Sequence, residues 1–489
     1  VIHIRGTALE DSIMLVQNTA DELEKGEIGG LLLQYSLPAI IGMIAFSLYN
    51  VIDRVFIGQG VGALAISGLA ITLPIMNLAV AFGALVGVGA SAVISIRLGE
   101  KRRTDAILIL GNAVTLNIII SIAFSIITLI FLDWILKLFG ASHDTLPYAR
   151  EFMQIILLGN IFTHVYMGLN NIMRSSGYPG KAMTTTLFTI GVNVVLAPLF
   201  IFAFKWGIRG AAAATVFSQI LGTVWVLKHF LSRKSFVHLE HGCMRLHVRI
   251  IREILATGLP TFILHVCACL VVILINLRLV KYGGDFAVGA FGIINSIGMF
   301  FAMVVLGLTQ GMQPIVGFNY GARQSRRMLK AFRYTVIAAS GITTAGFLMG
   351  EFIPHLIARA FTSNHELTNL TITGMRIVIA AFPIVGFQMV TANFFQSIGN
   401  ARIAAVLSLT RQVFFLIPAL FILSSIFGLN GVWASMPASD LAASIFTFIV
   451  LKIQLNKIRS DHREPSEGGD ASFFECKEKK PLTELRKFQ

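Results

Sequence analysis

Apolar runs of twenty or more residues follow one another along most of the chain, separated by short polar breaks. A membrane-spanning helix needs roughly 20 mostly apolar residues, whereas the strands of a membrane barrel read as short alternating segments. The runs here are continuous, so they read as helices. Twelve are predicted, at approximately 31–57, 64–96, 106–132, 145–172, 182–204, 208–231, 252–280, 286–318, 329–357, 373–397, 404–427 and 431–457. Only 13% of residues are charged and mean hydropathy is +0.76. A soluble domain carries roughly 25% charged residues. A surface this poor in charge is solvated by lipid.

The net charge of +14 would raise nucleic-acid binding in a soluble protein. Here the basic residues sit mostly in short loops and the tail, and they favour one side. Arg97, Lys101, Arg102 and Arg103 fall there, as do Arg174, Lys181, Arg245, Arg249, Arg323, Arg326, Arg327 and Arg402. The other side carries little more than Lys137, Lys205, Arg209, Lys281 and Arg359. By the positive-inside rule the richer side is cytoplasmic, which places both termini there, and nucleic acid is excluded as a partner. The expected location is the cell (inner) membrane, crossed many times. Residues 1–27 read as a cytoplasmic segment without the layout of a cleaved signal peptide. Residues 458–489 read as a disordered cytoplasmic tail. Cys243, Cys267, Cys269 and Cys476 contain no CxxC pair, so neither a disulfide framework nor a metal site is expected.

The second half echoes the first at an offset of 222 residues. Leu37-Pro38 meets Leu259-Pro260, Gly62 meets Gly284, Gly89 meets Gly311, Gly99 meets Gly321 and Gly177 meets Gly399. After a one-residue slip Gly207 meets Gly428. Each match falls at the same point of the same helix or loop. The fold class that follows is an all-α integral membrane protein of twelve transmembrane helices in two pseudo-symmetric six-helix bundles. These are an N-lobe at 28–231 and a C-lobe at 252–457, joined by a basic cytoplasmic linker at 232–251. Parallel repeats of this kind can rock about a central site, which suits a carrier.

Several stretches in this frame resemble the multidrug and toxic compound extrusion (MATE) transporters. They are SLPAIIGMIAFSLYNVIDRVFIG in helix 1, GVGASAVISIRLGEKRRTDA after helix 2 and QGMQPIVGFNYGARQSRR after helix 8. RSSGYPGKA, FFQSIGNARIA and GLNGVWASMPASD complete the set. Their order and spacing carry the likeness from about residue 30 to 457. It implies a secondary active multidrug exporter that antiports bulky lipophilic or cationic compounds against H⁺ or Na⁺, with no other cofactor. The lobes would flank a central chamber, and the molecule would act as a monomer in the bilayer on small-molecule drugs or organic cations.

Asp53 lies in the outer part of helix 1 among Val51, Ile52, Val55, Phe56 and Ile57. An intramembrane carboxylate is a functional candidate by default; the alternative is a headgroup-level residue paired with Arg54. The resemblance adds Asn193 in helix 5 and Thr215 in helix 6 as polar partners able to hold a proton network or Na⁺. Where related proteins often carry an acid, four residues after Asn193, this chain has Ala197. Asp440 in helix 12 resembles a second acid of the family, set against a structural pair with Arg411 or Gln412. Asn170 resembles a polar position facing the chamber, and Gln388 and Asn393 are substrate-binding candidates on helix 10, beside His265, Asn276 and Gln396. Pro38 either bends helix 1 as a hinge or starts it.

A lipid-linked oligosaccharide flippase of the same superfamily is the rival transporter, resting on Arg174, Arg278, Arg376 and Arg411. An intramembrane enzyme would need a convergent nucleophile, metal or acid pair, and no HExxH or GxSxG set is present in the sequence.

Overall fold

The structure, a computed structural model, describes residues 22–139, 141–232, 235–240, 242–361 and 365–461. The expected N-terminal segment and tail therefore lie outside the described residues, apart from 22–27 and 458–461. Among the described residues there is no strand. The N-lobe comprises α1 (Ile28–Gly60), α2 (Ala63–Gly99), α3 (Arg103–Ile130), α4 (Leu146–Ser175), α5 (Pro179–Pro198) and α6 (Gly207–Leu231). The C-lobe comprises α7 (Val248–Gly284), α8 (Phe286–Gly321), α9 (Ser325–Phe352), α10 (His365–Val378 and Phe382–Ser397, bent by 55°), α11 (401–427) and α12 (429–461). A π-helical turn, Leu199–Ala203, extends α5. A second, Thr410–Leu416, interrupts α11.

Two of these divisions rest on a single glycine. The backbone is helical from Val248 to Gly321 except at Gly284 (φ 64°, ψ −163°), and from Ile417 to Asp461 except at Gly428 (φ 58°, ψ −129°). Residues with a Cβ scarcely visit these regions. The apolar stretch Ala401–Asn456 has 56 residues, about 84 Å at 1.5 Å per residue. One crossing of a hydrocarbon core about 30 Å thick cannot use that length. Gly428 turns it into two crossings, and twelve result. Observed ends differ from expectation by a few residues. α7 starts at Val248 rather than 252. Helix 9 stops at Phe352, where Pro354 begins a separate short helix, Pro354–Phe361; proline is favoured in a first turn and disfavoured inside a helix.

The glycines that match at 222 residues have structural reasons. Gly62 and Gly284 hold positive φ in equivalent turns, as do Gly177 and Gly399. The others mark close approach across a pseudo-twofold axis. A Cβ on Gly99 would overlap the carbonyl oxygen of Phe318, and one on Gly321 would overlap that of Ile96. Ile96 and Phe318 are themselves equivalents, so the two contacts are one contact seen from each lobe. Gly89 lies against Ile254 and Gly258 of α7, and its equivalent Gly311 lies against Ser36 of α1. Gly317 sits beside its own equivalent, Ser95. Such reciprocity is the signature of a twofold interface.

All these contacts lie toward the face that carries the basic loops, called here the basic face. The largest buried cluster unites both lobes there, with Tyr35, Val86 and Val93 packed among Met312, Ile315 and Val316. Toward the opposite face the cores separate. Ile57, Ala65, Phe152 and Ala197 form a cluster inside the N-lobe, and Val271, Ile275, Leu420 and Trp433 one inside the C-lobe. The lobes are thus sealed together at the basic face and hold separate cores at the other.

The described part of the connection between lobes, 235–240 and 242–247, is attached to the N-lobe. Arg103 donates from Nε to the Phe236 carbonyl at 2.8 Å, and the Phe236 N–H donates to the Tyr178 hydroxyl at 3.1 Å. Asn112 of α3 donates to the Arg245 carbonyl at 3.1 Å and accepts from the His247 N–H at 2.8 Å. Thr115 donates to the Met244 carbonyl at 3.1 Å. Val237 and Cys243 are buried beneath, and burial raises the Cys243 thiol above its ordinary range.

Candidate functional site

The half of the N-lobe away from the basic face gathers three of the expected residues and one that sequence reasoning missed. Asn193 of α5 is 3% exposed and donates from Nδ2 to Thr215 Oγ1 of α6 at 3.2 Å. Thr215 donates its own proton to the Ala211 carbonyl, one turn back, at 3.1 Å. Tyr49 of α1 lies with its hydroxyl 3.2 Å from Thr215 Oγ1. Since the threonine proton is committed to Ala211, Tyr49 is the donor in that bond. Asp53 follows Tyr49 by one turn on the same face of α1, within its electrostatic reach. Tyr49 reads in sequence as one more large side chain in an apolar helix. The available signal was its i, i+4 spacing from the only acid of α1.

The local sequence explains the placement. Pro198 cannot donate a backbone hydrogen bond, and the π turn that follows pushes Ile201 and Phe202 against Gly60 of α1. Phe56 and Phe202 meet edge to face at 6.5 Å. α1 is thereby held beside α5 and α6 where Asp53 sits. Ala197, fully buried, occupies the face of α5 one turn beyond Asn193.

A hydroxyl has one proton and two lone pairs. In this arrangement Thr215 has used all three. As arranged, Thr215 has no lone pair left to offer a sodium ion. Among the described residues no group of three or more His, Cys, Asp or Glu side chains could hold a metal ion.

In the C-lobe, Asp440 is 7% exposed and accepts a hydrogen bond from Arg411 Nε at 2.7 Å. Of the two partners expected for a structural pair, the structure selects Arg411. It stands in the π turn of α11. Gln388 is turned to α12 as well, donating to the Asp440 backbone carbonyl and to Ser444 Oγ. Asn393 donates to the Met389 carbonyl of its own helix at 2.9 Å. Gln396 ties α10 to α7 through the Thr257 carbonyl at 3.0 Å and Thr261 Oγ1 at 2.8 Å. Asn170 spends its amide protons on α5, at 3.0 Å from the Ala182 carbonyl. Gln388 and Asn393 are thus not brought into the constellation around Asp53, and neither is Asp440.

Pro38 lies inside α1, ten residues past its start, so it is not a helix-start proline. It deprives the Gln34 carbonyl of its helical donor. It sits in the zone of lobe contact, between Ser36, which donates to the Leu308 carbonyl at 3.3 Å, and Ile40, which packs on Gly307.

The polar contacts across the lobes also cluster toward the basic face among the described residues. Arg97 pairs with Glu253 at 2.6 Å, Gln313 donates to Ser91 Oγ at 2.9 Å, and Arg327 donates to the Gly26 carbonyl at 2.6 Å. Arg174 of α4 donates to Gln310 of α8. Phe82 and Phe262 meet near mid-depth, ring centres 4.9 Å apart.

Two equivalent six-helix lobes with polar side chains inside a lipid-solvated bundle define a carrier rather than an enzyme. The chain belongs to the MatE family of multidrug and toxic compound extrusion transporters, whose profile matches it twice, at residues 38–199 and 260–422. The two matches start 222 residues apart, the offset of the internal repeat. It is 37% identical to the MATE multidrug transporter DinF-BH, whose structure in complex with R6G superposes with a TM-score of 0.82 over 88% of this chain and 96% of that one. The structure of an outward-facing multidrug resistance MATE family transporter of the MOP superfamily shares the fold, with 24% identity and a TM-score of 0.85 over 90% of this chain and 98% of that one. Multidrug export protein MepA of Staphylococcus aureus (strain MSSA476) is 26% identical over 447 residues, 91% of this chain and 98% of MepA.

Proposed function

We propose that the protein exports bulky lipophilic or cationic small molecules across the cell membrane, driven by inward proton flow through Asp53. The basic face, with both termini, is cytoplasmic by its excess of Lys and Arg. The side on which the lobes hold separate cores then faces outward, and export requires the lobes to rock until the seal at the cytoplasmic face opens. One chain holds both halves of the pathway, so the working unit is a monomer.

The observation that carries this reading is the constellation of Asp53, Tyr49, Thr215 and Asn193 in the outer half of the N-lobe, where the lobes hold separate cores. A carboxylate there meets protons from outside. Once neutral, it can return through a closed, dry state at much smaller cost than as an anion. The full lone-pair complement of Thr215 supports a proton over Na⁺. Relatives named as multidrug exporters support the cargo class.

The test is flux in proteoliposomes with H⁺ and Na⁺ gradients imposed separately, beside ethidium efflux in a pump-deficient cell. Proton-driven uptake that Asp53→Asn abolishes at normal protein levels is expected. Transport that follows Na⁺ alone, or survives in Asp53→Asn, refutes the coupling.

A further inference from the structure

Arg174 reaches across the lobe interface to a neutral partner. Its guanidinium donates to Gln310 Oε1 of α8 and lies 3.5 Å from both Asn170 Oδ1 and Asn171 Oδ1. All three acceptors are neutral. Among the described residues no carboxylate pairs with Arg174, whereas Arg97 and Arg411, also at buried polar contacts, each have one. Arg174 is partly buried, and it stands one residue from the cytoplasmic end of α4. An arginine at that level ordinarily extends toward water and headgroups. This one reaches inward instead, between the lobes.

The surroundings are polar and shaped. Tyr166 and Asn170, two turns and one turn earlier on α4, both approach Thr186 Oγ1 of α5, at 3.4 and 3.5 Å. Apolar walls stand beside them, with Leu169, Met173 and Met312 buried in the joint core. A guanidinium satisfied only by neutral oxygens gains from an anion, since charge-assisted bonds are about twice as strong as neutral ones. Gln310 belongs to the opposite lobe, so it must withdraw when the cytoplasmic seal opens. It then leaves vacant one side of the guanidinium that faces the cell interior.

We propose that Arg174 is a subsite for an anionic oxygen group, carboxylate or phosphate, on an otherwise apolar cargo loaded from the cytoplasm. Gln310 occupies this subsite when the seal closes and so displaces the bound anion. The proposal extends the export reading, on which it rests, from cations to acidic amphiphiles, and it gives Arg174 a role in specificity.

The probe is dansyl undecanoic acid, with its methyl ester as the uncharged match, titrated against purified protein in neutral detergent. The acid is expected to bind at least about tenfold more tightly than the ester, about 1.4 kcal/mol. Arg174→Gln brings that ratio near one. It also tightens ethidium binding, because a positive charge has left the cleft; a purely structural loss weakens both probes together. Gln310→Glu, which supplies an internal carboxylate and keeps the arginine, also brings the ratio near one, and serves if Arg174→Gln does not fold. Competition by short-chain phosphatidic acid, but not by inorganic phosphate, assigns the anion to a lipid-like cargo; the reverse assigns it to free phosphate. Equal binding of acid and ester by the wild type, or an undiminished ratio in both variants, overturns the proposal. Absence of ethidium binding in every protein would instead strike the export reading, while the acid-to-ester ratio still reports on Arg174.

Discussion

The reciprocal contact of Gly99 and Gly321 offers a direct handle on the conformational cycle. A methyl group at either position would run into a backbone carbonyl of the other lobe, Phe318 in one case and Ile96 in the other. A backbone oxygen inside a packed helix cannot swing away as a side-chain tip could. Overpacking of this kind costs about 1–3 kcal/mol. In the proposed rocking cycle that cost applies only while the seal at the basic face is closed, because its opening separates α2 from α8. At 1.4 kcal/mol per factor of ten, Gly99→Ala shifts the equilibrium toward the open seal by between about fivefold and about 140-fold. By the pseudo-twofold relation Gly321→Ala does the same. Spin labels at Thr104 and Arg326, exposed equivalents at the starts of α3 and α9, report the gap by pulsed electron resonance once the native cysteines are replaced by alanine. The expected result is a long-distance population in both variants that is minor in the parent, and unchanged distances in Gly341→Ala, whose added Cβ meets nothing within 4 Å. A distance distribution identical to the parent in both Gly99→Ala and Gly321→Ala would refute the assignment of this contact to the closed state alone.

Other expectations follow from the two polar centres. One proton per cycle against a one-unit pH gradient is worth about 1.36 kcal/mol, so a neutral cargo should accumulate about tenfold in proteoliposomes; in Asp53→Asn the ratio should fall to about one. Tyr49→Phe removes a single donor to Thr215, a net loss of about 0.5–1.5 kcal/mol, and should slow flux severalfold while flux still responds to the pH gradient. Asp440→Asn leaves Arg411 without its carboxylate and should lower thermal stability, by an amount near the lower end of roughly 3–5 kcal/mol, since the Arg411 side chain is 34% exposed. The double variant Asp440→Leu with Arg411→Met should recover most of that loss, measured by thermal unfolding in detergent.

The fold was legible in the sequence because lipid imposes a coarse rule, about 20 apolar residues per crossing, that local detail barely perturbs. The duplication was legible because a fold with a twofold axis needs glycine at equivalent places, as at Gly99 and Gly321. The site was legible only in part. Asp53 was conspicuous as a charge in an apolar run, and Asn193 and Thr215 came through likeness to the family. Tyr49 was hidden because an aromatic residue in a membrane helix is unremarkable until its hydroxyl is seen to have a partner. For Asp440 the sequence left two partners open, Arg411 and Gln412. Arg411 stands in the π turn at Thr410–Leu416, whose extra residue per turn leaves no clear mark in apolar periodicity. The Arg174–Gln310 contact joins helices 136 residues apart, and no spacing rule reaches that far.

The chain between the lobes bears on how they are geared. Fastened at Arg103, Asn112, Thr115 and Tyr178, residues 235–240 and 242–247 are tied to the N-lobe. The covalent joint is therefore not a slack tether. It narrows to the peptide bonds near His247 and Val248, where the fastened stretch gives way to α7. In the proposed rocking cycle the C-lobe turns about this joint, close to the seal at the basic face, so a small rotation there becomes a wide sweep at the opposite face.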